Sequence, residues 1–313
     1  MISESRRFYD EEVAPMIAES FSRYEGRIAA GIAGEGSDCF GYFDEISRDH
    51  DFGTGVCLWL TDEDMAEFGK DLSIAYDELV DEKSRTFLTA RLRERRGVMS
   101  IHDFYSNILQ RDLNTGECII TEKDWLSIDH SCLATAVNGE IFRDDLGVFS
   151  AFREALLGYY PDRVWRIRIA EKMHEYSACL QVNYARCMTR GDIVAADICK
   201  VRGMEAAMEL YFLLKRTYPP YYKWTYRALK ELDGNGSFSE RIAELAGLKC
   251  NEEAWKGSKY HPNRQNYKDR IVSLAEDMAY DLSEMLRDSG LISHMNPYLE
   301  ADVKKILEGI ENR

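Results

Sequence analysis

The sequence predicts an α+β protein, with a mixed sheet and flanking helices over residues 1–160 and an α-helical bundle over residues 161–313. Three observations carry this. The first half contains short apolar runs that end in glycine turns, as buried strands do. The second half contains long stretches with apolar residues three and four apart, as packed helices do. The character changes near Tyr159-Tyr-Pro-Asp162. A length of 313 residues suits two domains of roughly 150 residues each. With 45% hydrophobic and 30% charged residues, disordered and collagen-like chains are excluded.

The elements follow in order. Residues 3–27 read as a helix, with Phe8, Val13, Met16, Ile17 and Phe21 near helical spacing. Arg27-Ile-Ala-Ala-Gly-Ile-Ala33 is a buried strand ending in the turn Gly34-Glu-Gly-Ser-Asp38. The apolar second half of Asp49–Leu60 makes a central strand. Asp62–Leu79 is helical, capped by Thr61 or Asp62. Gly97–Ile101 is a third strand and Asp103–Leu109 a short helix. Residues 123–137 read as a helix, and Gly139–Arg143 as a strand or extended link. Val164–Thr189 forms a helix broken at Arg190-Gly191. Asp192 caps the next helix, which runs to about Thr217 with a stripe of Val194, Ile198, Val201, Met208, Tyr211 and Phe212. Tyr218-Pro-Pro-Tyr-Tyr222 ends it, since proline cannot continue a helix. Helices over 223–232, 238–247, 265–289 and 297–311 complete the chain.

Forty basic against 55 acidic residues leave a net charge of −15. Such a surface repels phosphate backbones, which argues against broad nucleic-acid or anionic-membrane binding. No apolar run reaches the ~18 residues of a membrane span. Met1–Glu12 is charged and lacks an apolar signal core, so a cytoplasmic location is expected. The eight cysteines include no Cys-x-x-Cys pair and no zinc-finger spacing. They read as reduced thiols.

The informative motif is Gly36-Ser37, eleven intervening residues, then Asp49-His50-Asp51. Aspartates at i and i+2 on a strand share a face. Two close carboxylates repel unless a cation lies between them. Hard oxygen ligands of this kind suit Mg²⁺ carrying substrate phosphates. A Gly-Ser turn behind a buried strand offers backbone N–H groups and a hydroxyl to a phosphate tail. Asp49 and Asp51 are thus candidate catalytic and metal-holding residues, and Gly36 and Ser37 candidate phosphate contacts. His50 would face the opposite side, as a packed support. Arg48 could meet a phosphate or lie on the surface.

This pattern resembles the signature of the DNA polymerase β-like nucleotidyltransferase superfamily. The stretch Gly36–Asp51 also resembles a bacterial family known as domain of unknown function 4037. The similarity continues in Asp124-Trp-Leu126, Asn138–Asp144, Tyr159-Tyr-Pro161, Gln181–Arg186 and Tyr218–Trp224. It implies a nucleotidyltransferase-like domain over 1–160 and a helical substrate-binding-like domain over 161–313. The implied activity is Mg²⁺-dependent transfer of a nucleoside monophosphate from a nucleoside triphosphate, ATP first, to a hydroxyl of a small-molecule or protein acceptor. Two alternatives stay open: a nucleotide-binding sensor without catalysis, and a toxin–antitoxin-type component. Superfamily members usually carry a third carboxylate on a later strand, yet Gly97-Val-Met-Ser-Ile101 has none. Asp103, Glu140 and Asp144 are nearby in sequence, with Asp103 and Asp144 the leading candidates.

In the helical half, Tyr184, Arg186, Lys223 and Trp224 are candidate nucleotide contacts. The aromatic segment Tyr218–Tyr226 around Lys223 could stack a base or form a core at the Pro-Pro turn. Gln181, Asn183, Tyr184 and Arg186 are polar within an otherwise buried helix, where such residues line a cavity or a network. The run Arg91-Leu-Arg-Glu-Arg-Arg96 reads as a solvated helix end.

Overall fold

The computed structural model describes residues 2–42, 55–83, 95–113, 120–262 and 264–311. Chain contacts divide it into two compact units, Met1–Tyr159 and Tyr160–Arg313. The α+β class is observed.

The first unit is built on a four-stranded mixed sheet of order β3-β2-β1-β4. The strands are β1 (Ala29–Ile32), β2 (Cys57–Leu60), β3 (Gly97–Ser100) and β4 (Glu140–Arg143). β1 pairs antiparallel with β2 and β4, and β2 pairs parallel with β3. β1 and β2 are buried throughout, because both sheet faces are covered. Ile28, Ala30, Leu58 and Leu60 pack with Phe8, Val13, Ile17, Phe68 and Leu72 on one face. On the other face the Trp59 ring stacks on Phe149 at 3.8 Å, with Phe104 edge-on at 5.4 Å. Gly31 lies where β1 slips register against β4. A Cβ there would stand 2.5 Å from the Glu140 carbonyl and 2.9 Å from Trp59.

Several elements differ from expectation. The first helix ends at Ser20 after a π turn over Tyr9–Val13, and a 3₁₀ turn, Glu25–Arg27, leads into β1. The expected helix over 123–137 is two helices, Glu122–Ser127 and His130–Ala136. Asp129 breaks them by capping the second, its carboxylate accepting the Ser131 N–H at 2.8 Å. Helix Val148–Leu157 follows β4 and stands outside the expected elements. Ser100 ends β3 and caps helix Ile101–Leu109.

The second unit is helical. Helix Asp162–Tyr176 continues through a π segment, Ser177–Asn183, into Tyr184–Arg190, which stops at Gly191 in the left-handed region. Helix Ile193–Leu214 packs back on it. Helices Tyr222–Leu232, Ser237–Gly247, Glu252–Trp255, Arg270–Asp288 and Glu300–Glu311 follow. The expected apolar stripe holds only in its second half. Met208, Tyr211 and Phe212 are buried, whereas Val194, Ile198 and Val201 are exposed. In the first half the buried positions are Ala196, Lys200 and Gly203. Positions two residues on from Val194 and Ile198 point about 200° away round the helix. At Gly203 the chains approach so closely that a side chain would overlap Leu180, while Lys200 is accommodated on the same face by donating to the Leu248 carbonyl at 2.6 Å and pairing with Asp197 at 3.0 Å.

Among the described residues no helix is long and apolar enough to cross a membrane. Cys39, Cys57, Cys132, Cys179, Cys187, Cys199 and Cys250 are free, and Cys118 lies outside the described residues.

Candidate functional site

Asp49, Asp51, Arg48 and His50 lie outside the described residues. The structure does describe both flanks of their segment. In the antiparallel pairing Gly31 sits opposite Cys57, and Gly97 sits beside Cys57 on the far strand. The exit of β1, the entry of β2 and the entry of β3 therefore share one end of the sheet. The turn carrying Gly36 and Ser37 stands at that end.

The turn is closely determined. Gly36 has φ +119°, and a Cβ on it would overlap the Asp38 carboxylate. Only glycine meets both demands without strain. The Tyr42 N–H donates to the Ser37 carbonyl at 2.8 Å, and the Gly41 N–H to that of Asp38 at 3.0 Å. The Asn138 side chain pairs with Gly34 in both directions, accepting its N–H and donating to its carbonyl, each at 2.8 Å. The Gly139 N–H donates to the Cys39 carbonyl at 2.9 Å. Gly139 is required there: its φ is +73°, and a side chain would overlap the Ile32 carbonyl. The Asn138-Gly139 pair thus supports the turn.

Two arginines preceding β3 complete the frame. Arg95 pairs with Glu35 at 2.5 Å and Arg96 with Asp38 at 3.0 Å. The reading of this run as a solvated helix end fails for Arg96, which is 4% exposed. The tight turn before β3 directs it under the Gly36–Ser37 loop, where Asp38 offsets its charge. Burial opposes ionisation of Arg96, and at neutral pH the charge of the Asp38 carboxylate and its hydrogen bond to the guanidinium work against that, so the group stays protonated. Burial likewise pushes the Cys39 thiol up to about 12 despite Arg96. Both Cys39 and the similarly raised Cys57 are therefore neutral packing groups at pH 7.

Beside the turn a cleft of about 290 Å³ is lined by Gly34, Glu35, Arg95, Met99, Phe104 and Asn107, among others. It combines an apolar wall with the Arg95–Glu35 ion pair and a carboxamide, the mixture typical of small-molecule sites. Glu35, Arg95 and Asn107 as cleft groups escaped the sequence reading. Only the fold brings a residue of the β1 exit, one before β3 and one late in helix Ile101–Leu109 to the same place.

The two leading third-acid candidates stand elsewhere. Asp103 follows β3, one strand length, roughly 13 Å, from the end where the turn lies. Its side chain is 67% exposed. Asp144 follows Arg143, which pairs with Ala30 rather than with Ile32. Its two oxygens accept the Gly147 and Ser150 N–H groups at 3.1 and 2.7 Å, capping helix Val148–Leu157. Neither is brought to the Gly36–Ser37 turn. Glu140 does face that end, opposite Ile32, and is paired with Arg6 at 2.6 Å. Among the described residues no group of three or more His, Cys, Asp or Glu could hold a metal ion.

The helical candidates occupy separate surroundings. Tyr184 is fully buried and donates to Asp269 at 2.8 Å; Trp255 donates to the same oxygen at 2.7 Å. Burial, then the Asp269 hydrogen bond, hold the Tyr184 hydroxyl well above its ordinary pKa. Tyr184 is a core residue in this structure, held by Asp269 beside Trp255. Gln181 belongs to a buried network, bonded to Pro297, Ser177 and Leu299. Arg186 is exposed and lies 5.1 Å from the Tyr260 ring centroid. Lys223 is exposed on helix Tyr222–Leu232. Half-buried Trp224 donates to the Tyr221 hydroxyl at 2.7 Å.

Tyr184→Phe is expected to cost about 1–3 kcal/mol, because it deprives a buried carboxylate of a donor, and to leave nucleotide affinity unchanged. Urea unfolding and calorimetric titration with MgATP measure the two parts. A fall in affinity without loss of stability would return Tyr184 to the ligand contacts.

Residues 125–225 match the family model described as Domain of unknown function (DUF4037). That span includes Asn138, Gly139, Asp144, Tyr184, Arg186, Lys223 and Trp224. No curated protein matches the chain. Among solved structures the chain is similar to a nucleotidyltransferase-like protein from Exiguobacterium sibiricum 255-15. The identity is 12% and the TM-score 0.36, over 96% of this chain and 80% of that one.

Proposed function

We propose that the first unit is a Mg²⁺-dependent nucleotidyltransferase, using ATP first among nucleoside triphosphates to modify a hydroxyl of a small-molecule or protein acceptor. The observation that carries this is the glycine-requiring Gly36–Ser37 turn at the end of the sheet where β1 exits and β2 enters. The Asp49-His50-Asp51 motif belongs to the segment joining those strands. In this reading Gly36 and Ser37 receive the phosphates through backbone N–H groups and a hydroxyl, and Asp49 and Asp51 hold the metal. Bound Mg²⁺ would neutralise phosphate charge and lower the pKa of an acceptor hydroxyl.

One observation favours a second reading, a nucleotide-binding sensor. β3 carries no carboxylate, and Asp103 and Asp144 stand at the opposite end of the sheet from the turn. A general base from these positions is therefore not supported. The test is incubation with α-labelled ATP and MgCl₂, with pyrophosphate release followed in parallel with equilibrium binding. Transfer expects Mg²⁺-dependent binding and pyrophosphate. Binding without pyrophosphate, with acceptor candidates supplied, selects the sensor. Absence of MgATP binding overturns both.

A further inference from the structure

We propose that Arg96, acting through Asp38, is the positioning residue that fixes the Gly36–Ser37 turn for the phosphate groups of a nucleotide. The proposal rests on the reading above, that this turn receives those groups. The Arg96 fork grips both ends of the loop. One terminal nitrogen donates to the Ala33 carbonyl at 3.5 Å, where the chain leaves β1, and to the Arg95 carbonyl at 3.1 Å. The other donates to Asp38 at 3.0 Å and to the Cys39 sulfur at 3.2 Å, where the chain leaves the turn. Between these anchors lie Gly34 to Ser37.

Stability alone does not account for such a pair. Its side chains are 3% and 10% exposed, and burying two charges costs about as much as their attraction returns. An apolar pair would fill the space as well. The Arg96 Nε is buried with no hydrogen-bond partner among the described residues, a further cost. What the pair supplies is geometry. A planar fork with several fixed donors defines where Asp38 stands, and Asp38 in turn lies against the Gly36 Cα, where a side chain would overlap it. The position of the Gly36–Ser37 backbone follows from the position of the guanidinium. Preformed donors bind an anion without a reorganisation cost, which gives a reason to keep an ion pair here.

The experiment compares MgATP affinity and ligand-free melting temperature for the wild type, Arg96→Met, Arg96→Lys, Asp38→Asn and the Arg96→Met/Asp38→Asn double variant. Val13→Ala serves as a stability control: Val13 is fully buried in the cluster that packs on Ala30 and Leu58, and takes no part in the Arg96–Asp38 hydrogen bonds that hold the turn. Arg96→Met and Asp38→Asn are each expected to weaken MgATP by about tenfold or more, the scale of one charge-assisted contact. The double variant should be no weaker than the worse single, since both act through one pair. Arg96→Lys should regain part of the loss. Val13→Ala should lower the melting temperature with affinity retained. Should Arg96→Met fail to fold, the near-isosteric Asp38→Asn decides. Affinity that is unchanged in the variants, or that falls in step with melting temperature across all of them including Val13→Ala, overturns the positioning role and leaves the nucleotide reading intact. A wild type that does not bind MgATP overturns the nucleotide reading itself, and the role with it.

Discussion

Replacing Asp49 and Asp51 together with asparagine is expected to lower Mg²⁺-dependent ATP affinity at least tenfold, that is by about 1.4 kcal/mol or more. The metal-free protein should be no less stable. Asparagine keeps the size and shape of aspartate and removes the charge that attracts a hard cation. If the i, i+2 spacing puts the two carboxylates on one face, as a strand would, they repel each other without metal, and neutralising them removes a strain rather than a support. Titration calorimetry with and without MgCl₂, beside thermal melting of the ligand-free protein, reads both halves. A large drop in ligand-free stability with affinity unchanged would make the pair structural and remove the metal from the proposed function.

Phe149→Ala is expected to cost about 3–5 kcal/mol, the usual penalty for deleting a fully buried aromatic ring. Phe149 is inaccessible to solvent and stacks on Trp59 at 3.8 Å. Tyr105 and Phe104 stand at 5.2 and 5.5 Å from it. These rings belong to β2 and to helix Ile101–Leu109, so a cavity here loosens the sheet and the wall of the cleft together. Denaturant unfolding checks the figure. A cost under about 1 kcal/mol, the range of a surface change, would mean that the ring cluster does not form the core of this face.

Elements whose signal is local are legible in the amino-acid order alone. The buried runs around Ala29–Ile32 and Cys57–Leu60 are short, apolar and followed or preceded by glycine, so their strands are legible without tertiary knowledge. The left-handed stop at Gly191 and the Asp192 cap beyond it are likewise written in adjacent residues. The Gly36–Ser37 turn was visible as a turn. That glycine is obligatory at position 36 was not, because the obstacle is a carboxylate held in place by Arg96, 58 residues away.

Partnership across long sequence separations belongs to the tertiary structure. Arg96 sits in an arginine-rich run that looks solvated, yet the entry of β3 carries it beneath the turn, where an anion awaits it. Asp103 and Asp144 are close in sequence to strand ends, and proximity of that kind says nothing about which end of the sheet they occupy; the register against β1 and β2 decides it. Val194, Ile198 and Val201 have the apolar spacing of a buried face, but close helix approach at Gly203 selects the face of Ala196, Lys200 and Gly203 two positions on. Tyr184 lies within a polar patch of its helix whose residue types fit a cavity or a network, and the network is what forms, with Trp255 and Asp269, 71 and 85 residues further along the chain. Local periodicity states that a face will be buried. Which partner covers it, and whether a charge finds its counter-charge or water, depends on packing between segments that no local pattern encodes.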